Sequence, residues 1–124
     1  MARVCGSGLW STPSDLAQLI VAMAKAARGD KTTLFAERGL GELMTNVDNL
    51  GYGLGVGLTG TAGDPVAMKR GNNLGFRSGF VACPRSGQGA VVMTNGDGGE
   101  PIVDAVLDAL ARRYKWPPRA PWPE

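Results

Sequence analysis

The chain has 124 residues, with 13 Lys plus Arg, 11 Asp plus Glu, 19 Gly, 8 Pro, 2 Cys and no His. That length suits one domain with a modest core, and the missing His excludes Ser-His-Asp and Cys-His catalysis, His-ligated zinc and any imidazole acid or base. A formal net charge of +2 is too weak and too evenly spread to imply a nucleic-acid partner.

Hydrophobic residues at 44% and charged residues at 19% describe an ordinary globular chain rather than a disordered one. No apolar run approaches the roughly 18 residues needed to span a bilayer. Residues 1–6 hold no apolar stretch of the signal-peptide kind. Cys5 and Cys83 lie too far apart in sequence for a CxxC motif, and buried free thiols are expected.

The first helix is well signalled. Thr12 is its N-cap, Pro13 its first residue, and Asp15 sits near the positive end of the dipole. Leu16, Leu19, Ile20 and Met23 recur at helical spacing, and Gly29 closes the helix. A second helix is expected from Leu34 to Asn46, with Phe35, Leu43 and Met44 on its apolar side and Gly39 and Gly41 weakening it. The period then changes to two. Tyr52–Leu58 alternates Gly with larger residues, Val66–Lys69 is short and extended, and Phe76–Cys83 ends at Pro84 and a turn around Ser86-Gly87. Ala90–Thr94 is a short apolar strand ended by Asn95-Gly96-Asp97-Gly98-Gly99. A third helix starts near Glu100-Pro101. Ile102, Val103, Val106, Leu107, Leu110 and Tyr114 form its stripe, and Asp104, Asp108, Arg112 and Arg113 its outer face. One domain over residues 1–117 is expected, with a Pro-rich tail at 118–124. Strands joined by short turns argue for an antiparallel meander. The fold class is therefore α+β, an antiparallel sheet meander flanked by helices, with the helices before and after it covering one face.

Gly51-Tyr52-Gly53-Leu54-Gly55-Val56-Gly57 is not a dinucleotide loop, because no helix follows to receive phosphate. Gly at alternate positions instead strips one strand face, so that another backbone or a ligand can approach. Asp97, Glu100 and Asp104 miss the EF-hand pattern and read as a solvated helix start. Trp10, Trp116 and Trp122 are expected to seal the core edge and the tail rather than form a stacking platform. The stretch Lys69-Arg70-Gly71-Asn72-Asn73-Leu74-Gly75-Phe76-Arg77 has two readings. It is a solvated turn, or a ligand-facing strand edge where Lys69 supplies charge, Gly71 gives access and the N–H near Asn72 meets an anionic oxygen.

Four stretches in order resemble the C-terminal part of the serine β-lactamase and penicillin-binding-protein-like superfamily. Within it they are most similar to the class C β-lactamase, D-alanyl-D-alanine carboxypeptidase and esterase branch. Residues 6–16, Gly-Ser-Gly-Leu-Trp-Ser-Thr-Pro-Ser-Asp-Leu, resemble its GGLxSTxxDLA segment, and Tyr52-Gly53-Leu54-Gly55 its YGLGW strand. Residues 69–78 resemble HxGxxPGFxS, whose opening is the K-[ST]-G or H-x-G box. Residues 89–95, Gly-Ala-Val-Val-Met-Thr-Asn, resemble GxGVVVLTN, and a last helix follows. The resemblance covers nearly all of the chain except the tail and implies a partial β-lactamase/transpeptidase-like fold.

By that resemblance Lys69 is the cation that holds a substrate carboxylate and tunes proton transfer. Gly71 keeps the strand open, and the N–H of Asn72 is an oxyanion-hole donor. Arg70 stands where a small hydroxyl residue is usual, and Leu74 where Pro is. An Arg at that place either crowds the carboxylate site or adds a second cation. Lys69 also stands where many relatives in the esterase branch carry His. The candidate substrate-binding and oxyanion set is thus Lys69, Arg70, Gly71, Asn72, Asn73 and Arg77, with no metal or cofactor.

The chemistry of that superfamily needs Ser with Lys three residues later, on one helix face. Ser7, Ser11, Ser14, Ser78 and Ser86 are followed at that spacing by Trp10, Ser14, Ala17, Val81 and Gly89. Tyr52-Gly53-Leu54 and Tyr114-Lys115-Trp116 likewise lack the Asn of a Tyr-x-Asn box. The chain is expected to be a fragment of a serine acyl-transfer hydrolase acting on a β-lactam, a D-Ala-D-Ala peptide or a small ester. Its partner would be a complementary N-terminal segment or a second copy. The rival reading is a non-catalytic module that holds an anion with Lys69, Arg70 and Arg77, or that serves in assembly.

Overall fold

A computed structural model describes residues 8–31, 34–35, 39–47 and 51–118. Helix α1 spans Pro13–Ala27. Its start is as the sequence predicts: the Thr12 side chain accepts a hydrogen bond of 3.1 Å from the Asp15 N–H. Gly29, with φ of +87°, follows the cap residue Arg28.

The expected second helix is much shorter than Leu34–Asn46. Only α2, Gly39–Leu43, is helical, and residues 36–38 lie outside the described part. Two glycines in five residues leave little helix propensity, so tertiary packing decides its extent. Phe35, Leu43 and Met44 nevertheless pack on the core as expected.

Four strands follow: β1 Gly57–Thr61, β2 Asp64–Asn73, β3 Phe76–Cys83 and β4 Gln88–Thr94. They form one antiparallel sheet in the order β1-β2-β3-β4, which is the expected meander. Two strand expectations are corrected. Tyr52–Leu58 is not a strand; it folds back on itself, with one bridge between Tyr52 and Gly57 and β1 starting only at Gly57. Gly51 and Gly55 take positive φ there, which drives the reversal. The close approach inferred from its glycines is real, and it is made by backbone: a Cβ on Gly53 would lie 1.8 Å from the Leu43 carbonyl oxygen. Strand β2 also runs four residues past Lys69, so the two cations lie inside a strand rather than at its end. The corner of that hairpin is Leu74-Gly75, with Gly75 at φ +77°.

The two long helices cover opposite faces, not one. Ile20 and Met23 of α1 cluster with Ala67, Phe80 and Ala82. The last helix, α3, Glu100–Tyr114, follows a 3-10 turn at Asp97–Gly99 and buries Val103 and Leu107 against Val66, Met68, Val81 and Cys83. The reason is visible in the strands. Val66-Ala67-Met68 and Phe80-Val81-Ala82-Cys83 are continuous apolar runs, and alternating side chains then need cover on both sides. Ile102, Val106 and Tyr114 of the expected α3 stripe are exposed, which narrows its buried face. Trp116 packs on the α3 cluster, whereas Trp10 is largely exposed and meets Phe76 edge-on at 5.5 Å. Cys83 is a buried free thiol; Cys5, Trp122 and residues 119–124 of the expected tail lie outside the described residues.

Candidate functional site

Strand alternation sorts the candidate residues onto two faces. On β2, Ala67 points to the α1 side, and Lys69, Gly71 and Asn73 share its parity. Their register partners on β3 are Ala82, Phe80, Ser78 and Phe76. Val66 and Met68 point to the α3 side, and Arg70 and Asn72 share theirs. The sequence placed all six candidates in one group, but the sheet divides them.

Arg70 turns to α3. It donates to Glu100 Oε1 through Nη1 and to Asp104 Oδ1 through Nη2, the latter at 2.5 Å. Glu100 and Asp104 are one turn apart on α3, so a single guanidinium fork spans both carboxylates. Arg70 therefore neither crowds the α1 face nor adds a cation to it. Arg77 Nη1 lies 3.1 Å from Asp97 Oδ1 and also donates to the carbonyls of Asn73 at 2.5 Å and Phe76 at 2.9 Å. The same Asp97 oxygen accepts from the Gly75 N–H at 2.9 Å, and Thr94 Oγ1 donates to the Arg77 carbonyl at 3.1 Å. These contacts tie the β2–β3 corner to the start of α3.

The three acidic residues read as a solvated helix start are thus ion-paired with the two arginines. Sequence reasoning missed this, because the partners lie about 20 to 34 residues apart and meet only through the sheet register. No group of three or more metal-ligating side chains occurs among the described residues. Arg70, Gly71, Asn72, Arg77, Ser78, Glu100 and Val103 line an open depression of about 40 Å³.

Lys69 differs from both arginines. It is exposed and makes no hydrogen bond or ion pair among the described residues. The β1–β2 pairing ends at Gly57 and Met68, so Lys69–Asn73 pairs only with β3 among those residues. Alternate N–H and C=O groups of this stretch therefore face an open side, and Asn72 lies within it. Gly71 is exposed, but the space above it is partly taken: a Cβ there would lie 2.3 Å from Ser78 Oγ. The chemistry available is recognition of an anionic oxygen by one cation, an open strand and a neighbouring hydroxyl.

No described helix is long and apolar enough to cross a membrane. No curated protein and no solved structure matches the chain. A family model described as Beta-lactamase matches residues 3–113. That span takes in α1, the whole sheet, Lys69 and nearly all of α3, and on it the chain belongs to the β-lactamase family, within the serine β-lactamase and penicillin-binding-protein-like superfamily.

Proposed function

We propose that this chain supplies the sheet, the substrate-holding cation and the oxyanion-side strand of a serine acyl-transfer hydrolase. The substrate is a β-lactam, a D-Ala-D-Ala peptide or a small ester, as the motifs shared with the class C, carboxypeptidase and esterase branch suggest. The reaction passes through an acyl-Ser intermediate. None of the five Ser has Lys three residues on, so the nucleophile and its base come from a complementary segment or a partner chain. Lys69 holds the substrate carboxylate, and the N–H of Asn72 donates to the developing oxyanion.

One observation carries this reading: Lys69 stands uncommitted on an open strand, while its cationic neighbours are both occupied by carboxylates. The same observation weighs against the rival. An anion site built from Lys69, Arg70 and Arg77 would have to break three ion pairs and would draw on two faces of the sheet. The test is intact mass after incubation with benzylpenicillin and with a p-nitrophenyl ester. The chain alone forms no acyl adduct. Native mass of the complex recovered from its source shows a bound segment that carries SxxK, and that complex acylates. An adduct on any Ser of this chain would overturn the proposal.

A further inference from the structure

The small hydroxyl residue usual beside the cation is absent, because Arg70 occupies that place and turns to α3. The α1 face nevertheless carries a hydroxyl. Ser78 pairs with Gly71 across β2 and β3, and this parity places its side chain on the face of Lys69. Its oxygen reaches over Gly71, as the 2.3 Å clash with an added Cβ shows. Gly71 is two residues from Lys69, about 7 Å along the strand, which is within reach of one lysine side chain. Ser78 is half-buried, and its hydroxyl makes no hydrogen bond among the described residues. A hydroxyl in such a position has both its donor and its lone pairs available to a ligand.

We infer that Ser78 Oγ is a ligand-binding hydroxyl that donates to the same anionic oxygen group that Lys69 attracts. The site thus takes its hydroxyl from the neighbouring strand, and Gly71 is required so that this oxygen can stand over β2. The ligand class is an acyl compound bearing a carboxylate. Ser78 is no nucleophile here, since Val81 stands three residues on. The inference rests on the reading of Lys69 as the substrate-facing cation.

The probe is benzylpenicillin, titrated into the whole chain and followed by amide NMR shifts, with its methyl ester as the uncharged control. Ser78→Ala raises the Kd for benzylpenicillin about tenfold, the scale of a hydrogen bond to a charged group. Ser78→Thr, which keeps the hydroxyl, restores most of it. The ester binds more weakly, and Ser78→Ala leaves that binding unchanged. An unaltered amide spectrum of free Ser78→Ala away from residues 69–80 shows that the fold survives. If Lys69→Ala weakens binding and Ser78→Ala does not, the hydroxyl has no such role and the Lys69 reading stands. Absence of binding by every chain also overturns the Ser78 assignment, and leaves the acyl-transfer proposal to its own adduct assay.

Discussion

At the scale of single residues, Cys83 shows how the core sets chemistry. Its side chain is fully buried between β3 and α3, and burial, with a smaller contribution from the charge of Asp64, pushes the thiol up to about 11 from 9.0. Only the ionised form is penalised. Below about pH 9 the thiol is protonated in both folded and unfolded chains, so stability there does not depend on it. Between about 9 and 11 the unfolded chain releases the proton and the folded chain keeps it, so stability falls as pH rises. Urea unfolding across that window should show this slope for the native chain and a shallower one for Cys83→Ala. Equal slopes would mean that the thiol does not reach its burial-imposed state. The sequence made a buried thiol the expectation, but not the carboxylate that adds to its shift.

At the scale of elements, the Arg70 clip joins β2 to the first turn of α3. Arg70→Ala removes two ion pairs and leaves Glu100 and Asp104 repelling each other one turn apart. The groups are partly exposed, so the cost is about 1 kcal/mol, and it shrinks near 1 M salt, where screening acts within ~3 Å. Hydrogen exchange should speed up at the start of α3 and leave α1 unchanged; uniform acceleration would mean that the clip is global rather than local. Elements with local signals were legible: the Thr12 cap and Pro13 mark α1, and the Pro84–Gly87 corner ends β3. Elements decided by distant contacts were not. Arg70-Gly71-Asn72-Asn73 has weak strand propensity, yet it extends because Gly79, Ser78, Arg77 and Phe76 pair with it. Tyr52–Val56 alternates like a strand, yet folds back around the Leu43 carbonyl. The same long-range pairing decides the candidate residues. Lys69 and Gly71 are proposed from their box, whereas the placing of Arg70 on the opposite face and of Ser78 across from Gly71 follows only from the sheet register.

At the scale of the whole molecule, the sheet is a central layer between α1 and α3, with one core cluster on each of its faces. Apolar side chains remain outside these clusters. Leu9, Trp10 and Leu74 are more than three-quarters exposed, and Phe76 is exposed beside Trp10 at the β2–β3 corner. Exposed apolar side chains of this size favour association. Sedimentation of the chain alone should therefore show mass rising with concentration, and the pair Trp10→Ser and Leu74→Ser should lower it. A monomer at every concentration in both chains would mean that these side chains cover no partner surface.

The meander order has one more consequence. Strand β4 ends the sheet, and no strand pairs with its far side among the described residues. Its seven residues, Gln-Gly-Ala-Val-Val-Met-Thr, contain no charge and no proline. Native sheets commonly blunt such a ladder with lysine, proline or a bulge, and here none of these interrupts it. The unpaired main-chain N–H and C=O groups of β4 are of the kind along which an extended segment, from another protein or from a second copy, can add a fifth strand.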